Sequence, residues 1–94
     1  MDDLTLQQDH QDRDLVPVTN RVKRAQGQLA GVLRMIEEER ALGDVLNQLK
    51  AVTRALERAG VAMITHDLRR QVARGREITE DDLDDYERHF LSIS

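Results

Sequence analysis

The sequence predicts an all-α protein, a hairpin of two long helices followed by a short third one. Three observations carry that prediction. Apolar residues recur at helical spacing through two long stretches. Proline appears only once, at Pro17, so little interrupts those stretches. Aromatic residues are 2% of the chain (Tyr86 and Phe90), against 34% charged, which leaves Leu, Val, Ile, Met and Ala to build a helical core. At 94 residues the chain is one small domain, and so short a chain buries a modest share of its surface, which favours assembly.

Residues 1–15 lack apolar periodicity and read as a flexible acidic tail, with residues 16–94 as the folded domain. His10 lies in this tail, as a solvated residue or, alternatively, on a segment that swings in to ligate a metal or shield a basic face.

The first helix is expected to start at Pro17, whose fixed φ and missing N–H suit a first turn. From there Val18, Val22, Ala25, Leu29, Val32 and Ile36 follow a 4-3-4-3-4 rhythm, a seam for packing helix on helix. Arg21, Arg24 and Gln28 flank it. Gly27 and Gly31, one turn apart, each cost roughly 1 kcal/mol relative to Ala. Two such residues on one line point to a close approach, by a packed helix or by a nucleic-acid backbone.

Glu37–Arg40 closes this helix with charge. Ala41–Asp44 is expected to be the connection, with Gly43 as its hinge and Asp44 as N-cap or first-turn acid of the next helix. So short a link makes an antiparallel hairpin.

The second helix, from Asp44 to about Arg74, is the spine. At ~1.5 Å per residue it runs on the order of 45 Å. Val45, Leu49, Val52, Leu56 and Met63 form one stripe, and Lys50, Arg54 and Arg58 form a line opposite. Val61, Ile64, Leu68 and Val72 add an apolar row rotated away from the first. A helix apolar on two sides needs cover on two sides, which points to an oligomer. Gly75 is placed to end it.

Thr79 with Asp82 resembles a capping box for the third helix, with Glu80, Asp81 and Asp82 in its positive first turn and Arg88 and His89 near its end. His89 is read as a surface residue compatible with the helix dipole. Leu83, Tyr86, Phe90 and Ile93 give a short apolar stripe for a lid over the long helix, its own or a neighbour's.

Charge is segregated along the chain. Residues 1–14 are net −4, 15–36 net +4, 37–44 net −3, 45–76 net +5 and 77–94 net −6, which adds up to the chain's −4. Two prospective helices are cationic, and that distribution bears on partners more than the total does. With no cysteine, disulfides, thiolate metal sites and thiol redox chemistry are excluded. No apolar run approaches the ~20 residues of a membrane span, and a cytoplasmic location without a membrane partner is the expectation. No Ser/His/Asp set, carboxylate pair in an apolar cleft or phosphate loop stands out, so the chain is not read as an enzyme.

The stretch NRVKRAQGQLAG (Asn20–Gly31) carries the pattern R-x-[KR]-R-x-x-G-Q, and DVLNQLKAV (Asp44–Val52) follows about thirteen residues later. Together they resemble the bacterial copper-sensing repressor family (CsoR), with its nickel/cobalt-responsive RcnR and formaldehyde-responsive FrmR branches. The resemblance covers about residues 18–92. It implies a three-helix protomer, an antiparallel four-helix-bundle dimer and a dimer-of-dimers tetramer. It also implies repression of double-stranded operator DNA without a helix-turn-helix, relieved by an effector at the dimer interface. Arg21, Arg24 and Gln28 match the first-helix motif. The second-helix base falls at Thr53 in the family, whereas the arginine here is Arg54. The candidate DNA-binding set is Arg21, Lys23, Arg24, Gln28, Lys50, Arg54 and Arg58. On charge pattern alone, the Lys50–Arg54–Arg58 line reads first as a solvated helix face; the resemblance turns it towards DNA.

The family's cysteine and His-x-x-x-Cys ligands map onto Leu42, Asp67 and Gln71. The missing thiol removes Cu(I) coordination, persulfide sensing and formaldehyde capture. Three readings stay open for this effector-site equivalent. His66, Asp67 and Gln71 hold a divalent ion such as Zn, Ni, Co or Mn, with His10 from the tail. A small organic effector occupies a remodelled pocket. Or the site is structural, with Leu42 filling space and Asp67 paired to Arg70 or Arg74. No cofactor is required by any motif. The leading function is therefore a DNA-binding repressor acting as a homo-oligomer. The alternative is a helical interaction protein, such as a hetero-oligomer with a paralogue, that has lost metal sensing and DNA binding.

Overall fold

The computed structural model describes residues 3–93, with side chains from Leu15 onward. His10 and most of the proposed tail therefore fall where side chains lie outside the described residues. Three helices follow in order, α1 (Asp3–Glu37), α2 (Leu42–Ala73) and α3 (Glu80–Ser92), and no strand occurs among the described residues.

Pro17 is internal to α1 and does not start it. Its fixed φ near −65° is helical, so what it forfeits is one N–H bond to the preceding turn. The connection also differs from expectation. Gly43 already belongs to the first turn of α2, which has Ala41 as N-cap and Asp44 as its first-turn acid. The reversal lies at residues 38–41, where Glu39 takes φ 56°. Arg40 N donates to Met35 O and Glu39 N to Ile36 O, the paired bonds of a Schellman ending. At the far end of α2, Gly75 at φ 75° makes the same ending, with Arg76 N on Gln71 O and Gly75 N on Val72 O.

The core is small. Val18, Ala25 and Val32 on α1, and Val45, Val52 and Ala59 on α2, are the buried hydrophobics, in each case at seven-residue steps. The antiparallel hairpin sets these rows against each other in reverse order. Val32, Val45 and Val52 form a continuous cluster with Met35 against it. Valine and alanine at the contact let the two backbones come close.

α3 begins with the expected capping box. The Thr79 hydroxyl accepts from Asp82 N at 3.1 Å, and Thr79 N donates to the Asp82 carboxylate at 2.9 Å. No α3 residue is buried. The helix docks on α2 at two places. Tyr86 donates its hydroxyl to Asp67 at 2.7 Å, and Ile93 lies over Gly60, where an added Cβ would stand 3.0 Å from its Cδ1. The backbone extends 53 × 39 × 11 Å. The last figure is about one helix diameter, so the helices form a single layer with two open faces.

Candidate nucleic-acid interface and effector site

One face of the layer is apolar. Val22, Leu29 and Ile36 on α1, and Leu42, Leu49, Leu56 and Met63 on α2, again recur every seven residues, and all are exposed. Each row sits about 40–60° round the helix from its buried row. Because α1 and α2 are antiparallel, the same sense of rotation carries both rows to the same side. Leu33 and Leu46, also exposed, lie on that side by the same geometry.

The other face is cationic. Pro17, Arg24 and Gly31 form one seven-residue row on it, and Arg21, Gln28 and Met35 form another. Arg24 and Gln28 line a shallow cavity together with Gly27, Gly31, Arg34 and Gln48. An added Cβ at Gly27 would meet nothing within 4 Å, and one at Gly31 only an Arg34 guanidinium nitrogen at 3.7 Å. No helix of this protomer therefore approaches either glycine. Arg21 lines a second cavity on this face with His66, Arg69 and Arg70.

The candidate DNA-binding residues divide. An i+4 row drifts by about 40° per step. Arg58 turns towards the face of Arg21, Arg24 and Gln28. Lys50 and Arg54 instead line a groove with Leu46, Leu49, Thr53 and Glu57, on the apolar side of α2. Thr53 returns its hydroxyl to Leu49 O at 3.0 Å, so it is committed to its own helix. Lys23 stands on the outer edge of α1. Arg34 and Arg69 stand on the cationic face and Arg70 borders cavities on both faces; none of the three was among the candidate residues. Their signal was the register: the row Val45, Val52, Ala59 reaches His66 at its next step, and Arg70 lies one turn beyond.

A family model described as metal-sensitive transcriptional repressor matches residues 16–90. The chain belongs to that family. Among curated relatives of this repressor family, the copper-sensing transcriptional repressor RicR of Mycobacterium tuberculosis is 41% identical over 59 residues, 58% of this chain and 62% of that protein. The copper-sensing repressor CsoR of Mycobacterium ulcerans is 45% identical over 49 residues, 52% of this chain and 42% of that protein. CsoR of Bacillus subtilis is 36% identical over 47 residues, 50% of this chain and 46% of that protein. The matched stretches thus span under two thirds of each relative. No solved structure matches the chain significantly.

The positions that map onto the family's metal ligands do not suit a thiophilic metal. Leu42 offers no donor, and the sequence has no cysteine. Leu42 and Asp67 stand 25 residues apart on one helix, which is about 37 Å, so within one protomer they do not meet. Asp67 is paired with Tyr86, not with the expected Arg70 or Arg74, and Gln71 Oε1 accepts from Arg76 at 2.8 Å. Burial, and then the bond to Asp67, push the Tyr86 phenol above its ordinary value, so it stays a donor. His66, Asp67 and Tyr86 share a third cavity with His89. Among the described residues no three His, Asp or Glu side chains converge as metal ligands.

Proposed function

We propose that this chain is a DNA-binding transcriptional repressor that works as a symmetric oligomer of helical hairpins. The observation that carries the reading is the division of the layer into one apolar and one cationic face, in a chain of a repressor family. Two hairpins pair through the apolar rows into an antiparallel four-helix bundle, and two such dimers form a tetramer. Arg21, Arg24, Gln28 and Arg58 then lie outermost, repeated by symmetry, and neutralise phosphates of duplex DNA. Lys50 and Arg54 contribute from the rim. Aromatic side chains are absent from the cationic segments, which argues against a single-stranded target. The protein acts in the cytoplasm and catalyses no reaction. Its relatives are named for copper sensing; without a thiolate this chain answers a different signal and needs no cofactor. No helix among the described residues is long and apolar enough to cross a membrane.

A gel shift with the DNA upstream of its own gene, at two salt concentrations, tests the reading. A defined complex that weakens steeply with salt is expected, and Arg21→Ala with Arg54→Ala abolishes it. If the wild type shifts neither that DNA nor neighbouring promoters, the repressor reading fails in favour of a helical interaction partner. Calorimetric titration with zinc, nickel and cobalt tests the divalent-ion alternative; binding tighter than ~1 mM would revive it.

A further inference from the structure

His66 occupies the position where the buried row of α2 calls for hydrocarbon. Its Nε2 is buried and has no hydrogen-bond partner among the described residues, and the same is true of Nε of Arg70. Both line a half-open cavity of about 550 Å³ between α1 and α2. Pro17, Val18, Ala62 and Ala73 supply its apolar wall, and Arg21, Thr65 and Arg69 complete its polar one. Three guanidiniums thus surround one space whose lining, among the described residues, includes no carboxylate. Among the described residues the ion pairs are Arg40–Glu38 and Arg88–Asp85, so none involves these three arginines. Like charges around a cavity repel, and buried donors without acceptors cost stability. A bound anion removes both penalties at once.

We propose that this cavity is a binding site for a small organic anion, whose phosphate or carboxylate headgroup is held by Arg21, Arg69 and Arg70. The planar fork of arginine suits such headgroups because it donates two parallel bonds to two oxygens. Cavities of roughly 300–1,000 Å³ take small molecules with a body as well as a head, and the proline, valine and alanine wall offers that body an apolar surface. Pro17, Arg21, Thr65 and Arg69 open the cavity on the face away from the exposed apolar rows, while His66 and Arg70 form its floor and also border the cavity of Asp67 and Tyr86 on the other side. Arg21 belongs also to the proposed DNA interface. The anion therefore competes with backbone phosphate and acts as the releasing signal. That last step rests on the repressor reading; the binding site does not.

Calorimetric titration of the full chain, without DNA, uses pyrophosphate, citrate and glucose 6-phosphate as probes. Saturable binding of at least one of them with Kd below ~1 mM is expected, weakened about tenfold or more in Arg70→Met. Arg69→Met provides a second variant at a more exposed position, and Arg88→Ala on α3, which removes one charge elsewhere, leaves binding unchanged. Circular dichroism confirms that each variant is folded. No saturable heat with any probe up to about 10 mM overturns the proposal, as does binding that survives both Arg69→Met and Arg70→Met. If the free probes fail but Arg69→Met weakens DNA binding and flattens its salt dependence, the cavity takes a backbone phosphate and the proposal is likewise overturned. If a probe binds and no DNA is ever bound, the anion site stands and the repressor reading falls. With both in hand, the probe releases DNA from the wild type and not from Arg70→Met.

Discussion

Glu39 holds a left-handed backbone, φ 56°, which costs an L-residue with a Cβ roughly 1 kcal/mol relative to glycine. Gly75 fills the equivalent place at the end of α2 without that cost. Two opposite outcomes follow. Glu39→Gly raises unfolding stability by about 1 kcal/mol, and Gly75→Ala lowers it by about as much, both read from urea midpoints at unchanged slope. A pH effect belongs to the cap of α3. The Thr79 N–H, and then its hydroxyl, hold the Asp82 carboxyl below its usual 3.8. A depressed folded value means that the contribution is present above the unfolded pKa and drains away as pH falls through the folded one. Helicity should therefore drop as pH is lowered past about 3.8, and Asp82→Ala should blunt that acid step. The capping box and the Gly75 ending were legible because their chemistry is local: the residue types themselves name the geometry. Glu39 was not legible. An acid in the left-handed region carries no mark in the sequence, and the nearby Gly43 drew the hinge to the wrong residue.

Each long helix carries two apolar rows that look like one in sequence. Val18, Val22, Ala25, Leu29, Val32 and Ile36 read as a single seam, yet Val18, Ala25 and Val32 are buried while Val22, Leu29 and Ile36 are exposed. On α2 the same split sets Val45 and Val52 inside and Leu49, Leu56 and Met63 outside. Periodicity alone could not separate rows only about 40–60° apart. Side-chain size could have: the inner rows are valine and alanine, the outer ones mainly leucine, isoleucine and methionine. The glycines of α1 were read as marking a close approach, by a packed helix or by a nucleic-acid backbone, and within the protomer no packed helix makes it. Since an alanine methyl at Gly27 meets nothing within 4 Å, Gly27→Ala should stabilise α1 by roughly 1 kcal/mol through helix propensity. In the proposed complex the same methyl stands in the way of a phosphate backbone, so DNA affinity should fall about tenfold or more while the melting temperature rises. A glycine needed for packing inside the protomer would give the reverse on stability, so one variant measured both ways separates the two roles.

A layer 11 Å thick buries almost nothing large: Val32 is the largest fully buried side chain, while Leu42 is 73% exposed. Such a layer is marginal alone. The sequence pointed to assembly because α2 is apolar on two sides, but on the second of these Ile64 and Leu68 are already half-buried within the protomer. The surface that most needs cover is the pair of seven-residue rows running from Val22 to Ile36 and from Leu42 to Met63. In the proposed assembly a two-fold axis sets that surface against itself, which closes the assembly and produces no open chain of copies. Burying the remaining half of each leucine is worth roughly 1 kcal/mol, and a shared face collects that gain from both copies. Leu29→Glu combined with Leu56→Glu puts two carboxylates into each side of the contact. Sedimentation at micromolar concentration should then show monomers in place of dimers or tetramers, with lower helicity because the single layer cannot hold itself together. A wild type that sediments as a well-folded monomer would remove this face as an interface. The symmetric array of arginines on the opposite face, which carries the proposed DNA binding, would then be lost with it.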